Sequence, residues 1–127
     1  MRENDTGHER RRFRRFPVNG TVRLYSGTSM WTTDLIDLSL RGVLVVEPEQ
    51  WQGVPGARFR VDLRLEGGVH IGMAVAFVGH RNGGLAFSCD KIDIDSFTRL
   101  KRLVELNVGN TELIHRELSA LGEHDSN

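Results

Sequence analysis

The stretch Arg58-Phe59-Arg60-Val61-Asp62-Leu63-Arg64-Leu65-Glu66-Gly67-Gly68-Val69-His70-Ile71-Gly72-Met73-Ala74-Val75-Ala76-Phe77 decides the fold of this 127-residue chain. Phe59, Val61, Leu63 and Leu65 alternate without a break with Arg58, Arg60, Asp62, Arg64 and Glu66. Successive side chains of an extended chain point to opposite faces, so this period of two buries one face and wets the other. Gly67-Gly68 interrupts the pattern and reads as a hairpin turn. Beyond it Val69, Ile71, Met73, Val75 and Phe77 resume the alternation. Asn82-Gly83-Gly84 marks another tight turn, followed by Leu85-Ala86-Phe87.

Working outward, residues 21–25, 32–38 and 43–46 are three more strand candidates. Six short antiparallel strands with Gly-rich turns predict a mainly β fold, a small barrel, since closure removes unpaired strand edges. The tail changes character. Asp95 or Ser96 can cap a helix with apolar positions Phe97, Leu100, Leu103, Val104 and Leu106. Gly109 is a stop signal, and Asn110 can cap a second helix carrying Leu113, Ile114, Leu118 and Leu121. The predicted organisation is a flexible Arg-rich arm over 1–15 and a barrel over 16–92. C-terminal helices over 93–122 pack on the barrel, and 123–127 form a disordered tail.

Composition sets limits on function. Hydrophobic residues make up 39% of the chain, enough to build a core, so disorder throughout is excluded. No apolar run approaches the ~18 residues of a membrane span, and the polar N-terminus predicts no signal peptide. Cys89 is the one cysteine, which excludes an internal disulfide and a cysteine-cluster zinc site. A reducing cytoplasm is the expected location. The net charge of zero hides an uneven distribution: residues 1–15 hold six Arg against three acids, so the remainder sums to −3.

Two stretches carry recognition chemistry. Arg10-Arg11-Arg12-Phe13-Arg14-Arg15 joins the arm to the barrel. It reads either as a solvated basic arm or as an anion-recognition element. Guanidinium groups fork onto phosphate oxygens and onto the O6/N7 edge of guanine, and they stack on bases. Asp37-Leu38-Ser39-Leu40-Arg41-Gly42 lies between two strand candidates. It reads either as a turn, with Gly42 at a positive φ, or as a ligand contact. A short carboxylate there accepts from guanine N1–H and the exocyclic amine, and a glycine lets a ligand approach the backbone.

Together the two stretches resemble the PilZ domain family. Arg11-Arg12-Phe13-Arg14-Arg15 is similar to its RxxxR motif, and Asp37-Leu38-Ser39-Leu40-Arg41-Gly42 to its (D/N)xSxxG motif, in the same order. The following strands, ending in Gly84-Leu85-Ala86-Phe87, are similar too. The resemblance covers residues 9–90 and extends over the C-terminal helices of short stand-alone members. It implies a six-stranded antiparallel PilZ-type β-barrel that binds cyclic di-GMP, with no cofactor and no metal. By the same resemblance Arg11 and Arg15 contact phosphates and guanine, Asp37 and Ser39 contact guanine, and Gly42 permits close approach. Arg12 and Arg41, inside the two motifs, complete the expected site. An Arg directly before RxxxR goes with an intercalated ligand dimer in the family, and Arg10 holds that place. Stand-alone members act on partner proteins. A chemotaxis methyltransferase and the machineries of motility or exopolysaccharide are the partner classes implied. One departure stands out. Where related domains carry an aromatic late in the fifth strand, this chain has Phe77-Val78-Gly79-His80. Phe77 belongs to the core face, so stacking there would fall to His80 or Arg81.

Other chemistries fit less well. Asp90, Asp93 and Asp95 lack the central Gly and closing Glu of a calcium loop and read as helix capping. The five His are scattered without ligand spacing, and no GxSxG nucleophile elbow is present, so an enzyme is not expected. Cys89 reads as packing at a strand end, and Trp31 and Trp51 as rim or core residues. A nucleic-acid-binding barrel is the alternative for the basic arm, and a ligand-free interaction module is another. Against nucleic acid stand the acidic body and the lack of a strand aromatic platform.

Overall fold

The computed structural model describes residues 15–108. The elements follow in the order β1 (Phe16–Pro17), β2 (Gly20–Ser26), β3 (Ser29–Leu38), β4 (Gly42–Val45), β5 (Arg58–Leu65), β6 (His70–Arg81), β7 (Gly84–Ile92) and α1 (Ile94–Val108). The sheet order is β1-β3-β2-β5-β6-β7-β4, and β4 also pairs with β3. That last antiparallel pairing closes β2 to β7 into the six-stranded barrel that the alternation predicts. The strand absent from the sequence reading is β1, where Phe16 and Pro17 pair with Leu38 and Asp37. The arginines 10–12, the rest of the arm to residue 14, and the expected second helix and tail lie outside the described residues.

The alternating stretch behaves as its pattern requires. Phe59, Val61, Leu63 and Leu65 on β5 stand beside Ile71, Met73, Val75 and Phe77 on the neighbouring β6, all in one buried core. Burying such side chains stabilises by about 1.5–3 kcal/mol each relative to exposure. Asn82 (φ 47°) and Gly83 (φ 82°) both take the left-handed backbone that a two-residue hairpin turn demands. Aromatic rings fill one region of the interior. Trp51, from the loop between β4 and β5, lies 5.1 Å from Trp31, 5.2 Å from Phe59 and 5.3 Å from Phe77 between ring centroids.

Helix α1 starts two or three residues earlier than the sequence suggests. The cap is Asp93, not Asp95 or Ser96: its Oδ1 accepts the Ser96 N–H at 2.7 Å. The reason is that β7 runs on to Ile92. Asp93 is therefore the first residue free of the ladder, three positions before an unsatisfied helix N–H. This hydrogen bond holds the Asp93 carboxyl below the usual carboxylate range. Ser96 turns its hydroxyl to the barrel, where it accepts the Gly72 N–H at 3.0 Å. Leu100 and Val104 then reach the core, each 1% exposed. Leu106 does not: at 76% exposure it stands in solvent, because six helical steps from Leu100 turn it off the buried stripe.

Candidate ligand-binding site

Strand β3 delivers Asp37 to the outside of the barrel by a change of step. Trp31 and Leu35 pack on the core, at even spacing, and on that spacing Asp37 would also point inward. Instead Leu35 pairs with Val45 and Asp37 with Leu44, which leaves Ile36 as an extra residue in a bulge. The inserted residue inverts the alternation, so Leu38 enters the core at 0% exposure and Asp37 turns out. The run Leu35-Ile36-Asp37-Leu38, which fits neither parity, is the sequence signal for this bulge.

Strand β1 brings the second group. Phe16 is buried and pins the chain to the Leu38 end of β3, which leaves Arg15 at the lip of the barrel. Its Nη1 lies 3.2 Å from Asp37 Oδ1, with side-chain exposures of 39% and 19%. The pair joins the end of the first motif to the start of the second. Being solvent-facing, it contributes only about 0–1 kcal/mol to folding.

The loop 39–42 is a closed turn. Ser39 is buried, and its hydroxyl oxygen accepts the backbone N–H of Arg41 at 3.1 Å and of Gly42 at 3.2 Å. The Ser39 N–H in turn donates to the Gly42 carbonyl at 3.0 Å. The hydroxyl, expected as a guanine contact, is thus bound into its own loop. The Arg41 carbonyl accepts the Cys89 N–H at 2.8 Å, which ties the loop to β7.

Gly42 carries a constraint that neither sequence reading named. Its φ is not positive, and the need for glycine comes from β7: a Cβ would overlap the Phe87 carbonyl oxygen. Gly84 stands in the mirror position, where a Cβ would overlap the Val45 carbonyl oxygen. The β4–β7 pair is thus closed at both ends by glycines under opposing backbone. On its outer face Leu44 and Ala86 are direct cross-strand partners and are buried at 1% and 3%.

The hairpin of β6 and β7 explains the missing aromatic. Gly79 adopts φ 144°, next to a bulge that sets Val78 apart. Side chains rarely tolerate that backbone. His80 Nε2 lies 3.0 Å from Glu47 Oε1, and Arg81 Nη1 donates to the His80 carbonyl at 2.8 Å. Glu47 was invisible as a partner, since only the barrel's closure brings it to β6. Among the described residues, no group of three or more His, Cys, Asp or Glu side chains is placed to hold a metal ion, and no helix is long and apolar enough to cross a membrane.

Of the expected site, the structure brings together Arg15, Asp37, Ser39, Arg41 and Gly42 around one corner, while Arg10, Arg11 and Arg12 lie outside the described residues. The PilZ domain family model matches residues 9–106. The chain belongs to the PilZ domain family. Solved PilZ structures have the same fold at low identity. The PilZ domain of YcgR from Escherichia coli, determined with c-di-GMP, superposes with a TM-score of 0.58 at 16% identity, over 91% of this chain and 98% of that one. The PilZ domain of CeSA from a cellulose-synthesising bacterium gives 0.55 at 21% identity, over 72% and 94%. The inhibitor of motility MotI/DgrA from Bacillus subtilis gives 0.64 at 15% identity over 80% of this chain. This chain matches only 52% of MotI/DgrA, so it spans about half the length of that protein.

Proposed function

We propose that this chain is a non-enzymatic, cytoplasmic receptor for cyclic di-GMP that signals in trans to a protein partner. The observation that carries the reading is the Arg15–Asp37 contact at 3.2 Å on the outer wall of a PilZ barrel. It puts a guanidinium and a carboxylate side by side, one for phosphate or the O6/N7 edge of guanine, the other for N1–H and the amine. The YcgR domain, which shares this fold, was solved with c-di-GMP. Arg11 and Arg12 supply further cations as the arm folds over the ligand, at an entropic cost subtracted from affinity. Arg10 holds the place that in the family goes with an intercalated ligand dimer, so a second ligand is expected. Ser39 and Gly42 act by fixing the loop that carries Asp37 and Arg41. The ordered arm then presents a new surface to the partner. A chemotaxis methyltransferase or the machinery of motility or exopolysaccharide is the partner class we favour, and MotI/DgrA, named an inhibitor of motility, shares the fold.

The test is a calorimetric titration with cyclic di-GMP, with GTP and a short single-stranded DNA as controls. Saturable binding of the cyclic dinucleotide alone, at two per chain, is expected. Binding of DNA with a steep salt dependence instead would replace this reading with nucleic-acid recognition.

A further inference from the structure

The wall made by β2, β5 and β6 runs round the barrel from the neighbour of β3, the strand that carries Asp37. In the closed order, β2 separates β5 from β3, and β6 and β7 separate it from β4. The inward positions of this wall hold core residues such as Val22, Val61 and Met73. The outward ones therefore hold Arg23 and Tyr25 on β2, and Arg58, Arg60, Asp62 and Arg64 on β5. Tyr25 pairs with Arg60, which pairs in turn with Ala74, and Arg58 pairs with Ala76. Met30, 54% exposed, continues the Tyr25 row onto β3.

Four arginines and one aspartate give these outward positions of the three strands a formal charge of +3, while residues 16–127 as a whole sum to −3. The arginines are also set in place. Arg58 Nη1 lies 2.9 Å from Asp90 and Arg60 Nε lies 3.4 Å from Asp62, with the two Arg side chains 79% and 59% exposed. Arg60 extends over Gly72, where a Cβ would stand 2.6 Å from its Nη2. Beside it Ala74 and Ala76 present little side chain, so a partner can approach the strand closely.

We infer that this wall is a docking surface for a protein partner presenting an acidic segment. Arg, Tyr and Met are the residue types enriched at protein interfaces, and Arg and Tyr dominate their hot spots. A positive wall on an acidic body selects a partner of opposite sign and sets its orientation. Nucleic acid is the poorer occupant, because Asp62 and Asp90 stand among the arginines where a continuous phosphate track would run. The inference rests on the adaptor reading for the existence of a partner, and it adds where that partner sits.

The experiment places the photo-crosslinking residue p-benzoylphenylalanine at Tyr25 in the full chain, in its own host cells, with Thr98 on α1 as the control position. Adducts are mapped by mass spectrometry. Expected is a protein adduct on a segment rich in Asp and Glu, falling at least tenfold in the double variant Arg23→Glu, Arg60→Glu. The double variant should still bind cyclic di-GMP like the parent. A yield no higher than from Thr98, an adduct insensitive to the double variant, or one on nucleic acid, lipid or a segment without acids overturns the inference. So does loss of cyclic di-GMP binding in the double variant alone. A parent chain that binds no cyclic di-GMP refutes the receptor reading by calorimetry and leaves the wall to be decided by the adducts.

Discussion

The guanidinium of Arg15 and the carboxylate of Asp37 meet at 3.2 Å across 21 intervening residues. Two short structural facts make that meeting possible. Phe16 pairs with Leu38 and fixes where the arm enters the barrel, and the bulge at Ile36 turns Asp37 outward. A salt bridge that is partly exposed on both sides does little for folding. Its worth lies in placing two complementary polar groups on one lip.

Arg15→Ala and Asp37→Ala should therefore separate binding from stability. Each is expected to lower cyclic di-GMP affinity at least tenfold by calorimetry, since a charge-assisted hydrogen bond is worth about 1.5–3 kcal/mol. Thermal unfolding should move by no more than about 1 kcal/mol. Unchanged affinity in both variants would reject the site.

Ser39→Ala should lower stability and affinity together. The buried hydroxyl accepts two backbone N–H groups, and its removal leaves both without that partner. A cost of about 1–3 kcal/mol follows, read by urea unfolding. Affinity should fall as well, because the loop that carries Asp37 loosens.

Gly42→Ala tests the glycine's role directly. A methyl group there meets the Phe87 carbonyl oxygen, so β4 and β7 must part. Destabilisation of about 2 kcal/mol or more is expected from overpacking, with or without ligand. Gly67→Ala is the contrast: nothing lies within 4 Å of its Cβ, and only the positive φ of 79° opposes it. About 1 kcal/mol is expected there. Equal and small effects at the two positions would contradict the backbone argument.

Asp93 sets an acid dependence. Its pKa is lowered in the folded chain, chiefly by the Ser96 N–H, with nearby Arg60 and Arg99 also acting. A depressed carboxyl adds stability above its unfolded pKa and loses it as pH falls through the folded one. The difference in unfolding temperature between the parent and Asp93→Ala should thus be present at neutral pH. It should shrink below the ordinary carboxylate pKa. Asp93→Asn, which keeps a capping oxygen, should retain more of the parent's stability at neutral pH than Asp93→Ala.

The sequence by itself determined β5 and β6, because a period of two is a local property and each of these two strands carries its own copy. Phe59 to Leu65 and Ile71 to Phe77 needed no knowledge of the partner strand to be placed inward. The turn at Asn82-Gly83 was equally local, since its positive φ angles are set by two residues. The first helix was legible in its apolar spacing, though not in its cap, since where β7 stops depends on its ladder with β6. Tertiary structure decided the rest. Gly42 must be glycine because the Phe87 carbonyl lies against it, a contact between residues 45 apart that exists only after closure. The direction of Asp37 was decided by a bulge whose register is set by Val45 and Leu44 on another strand. Side-chain type is written along the chain, whereas the approach of one backbone to another is a property of strands already paired.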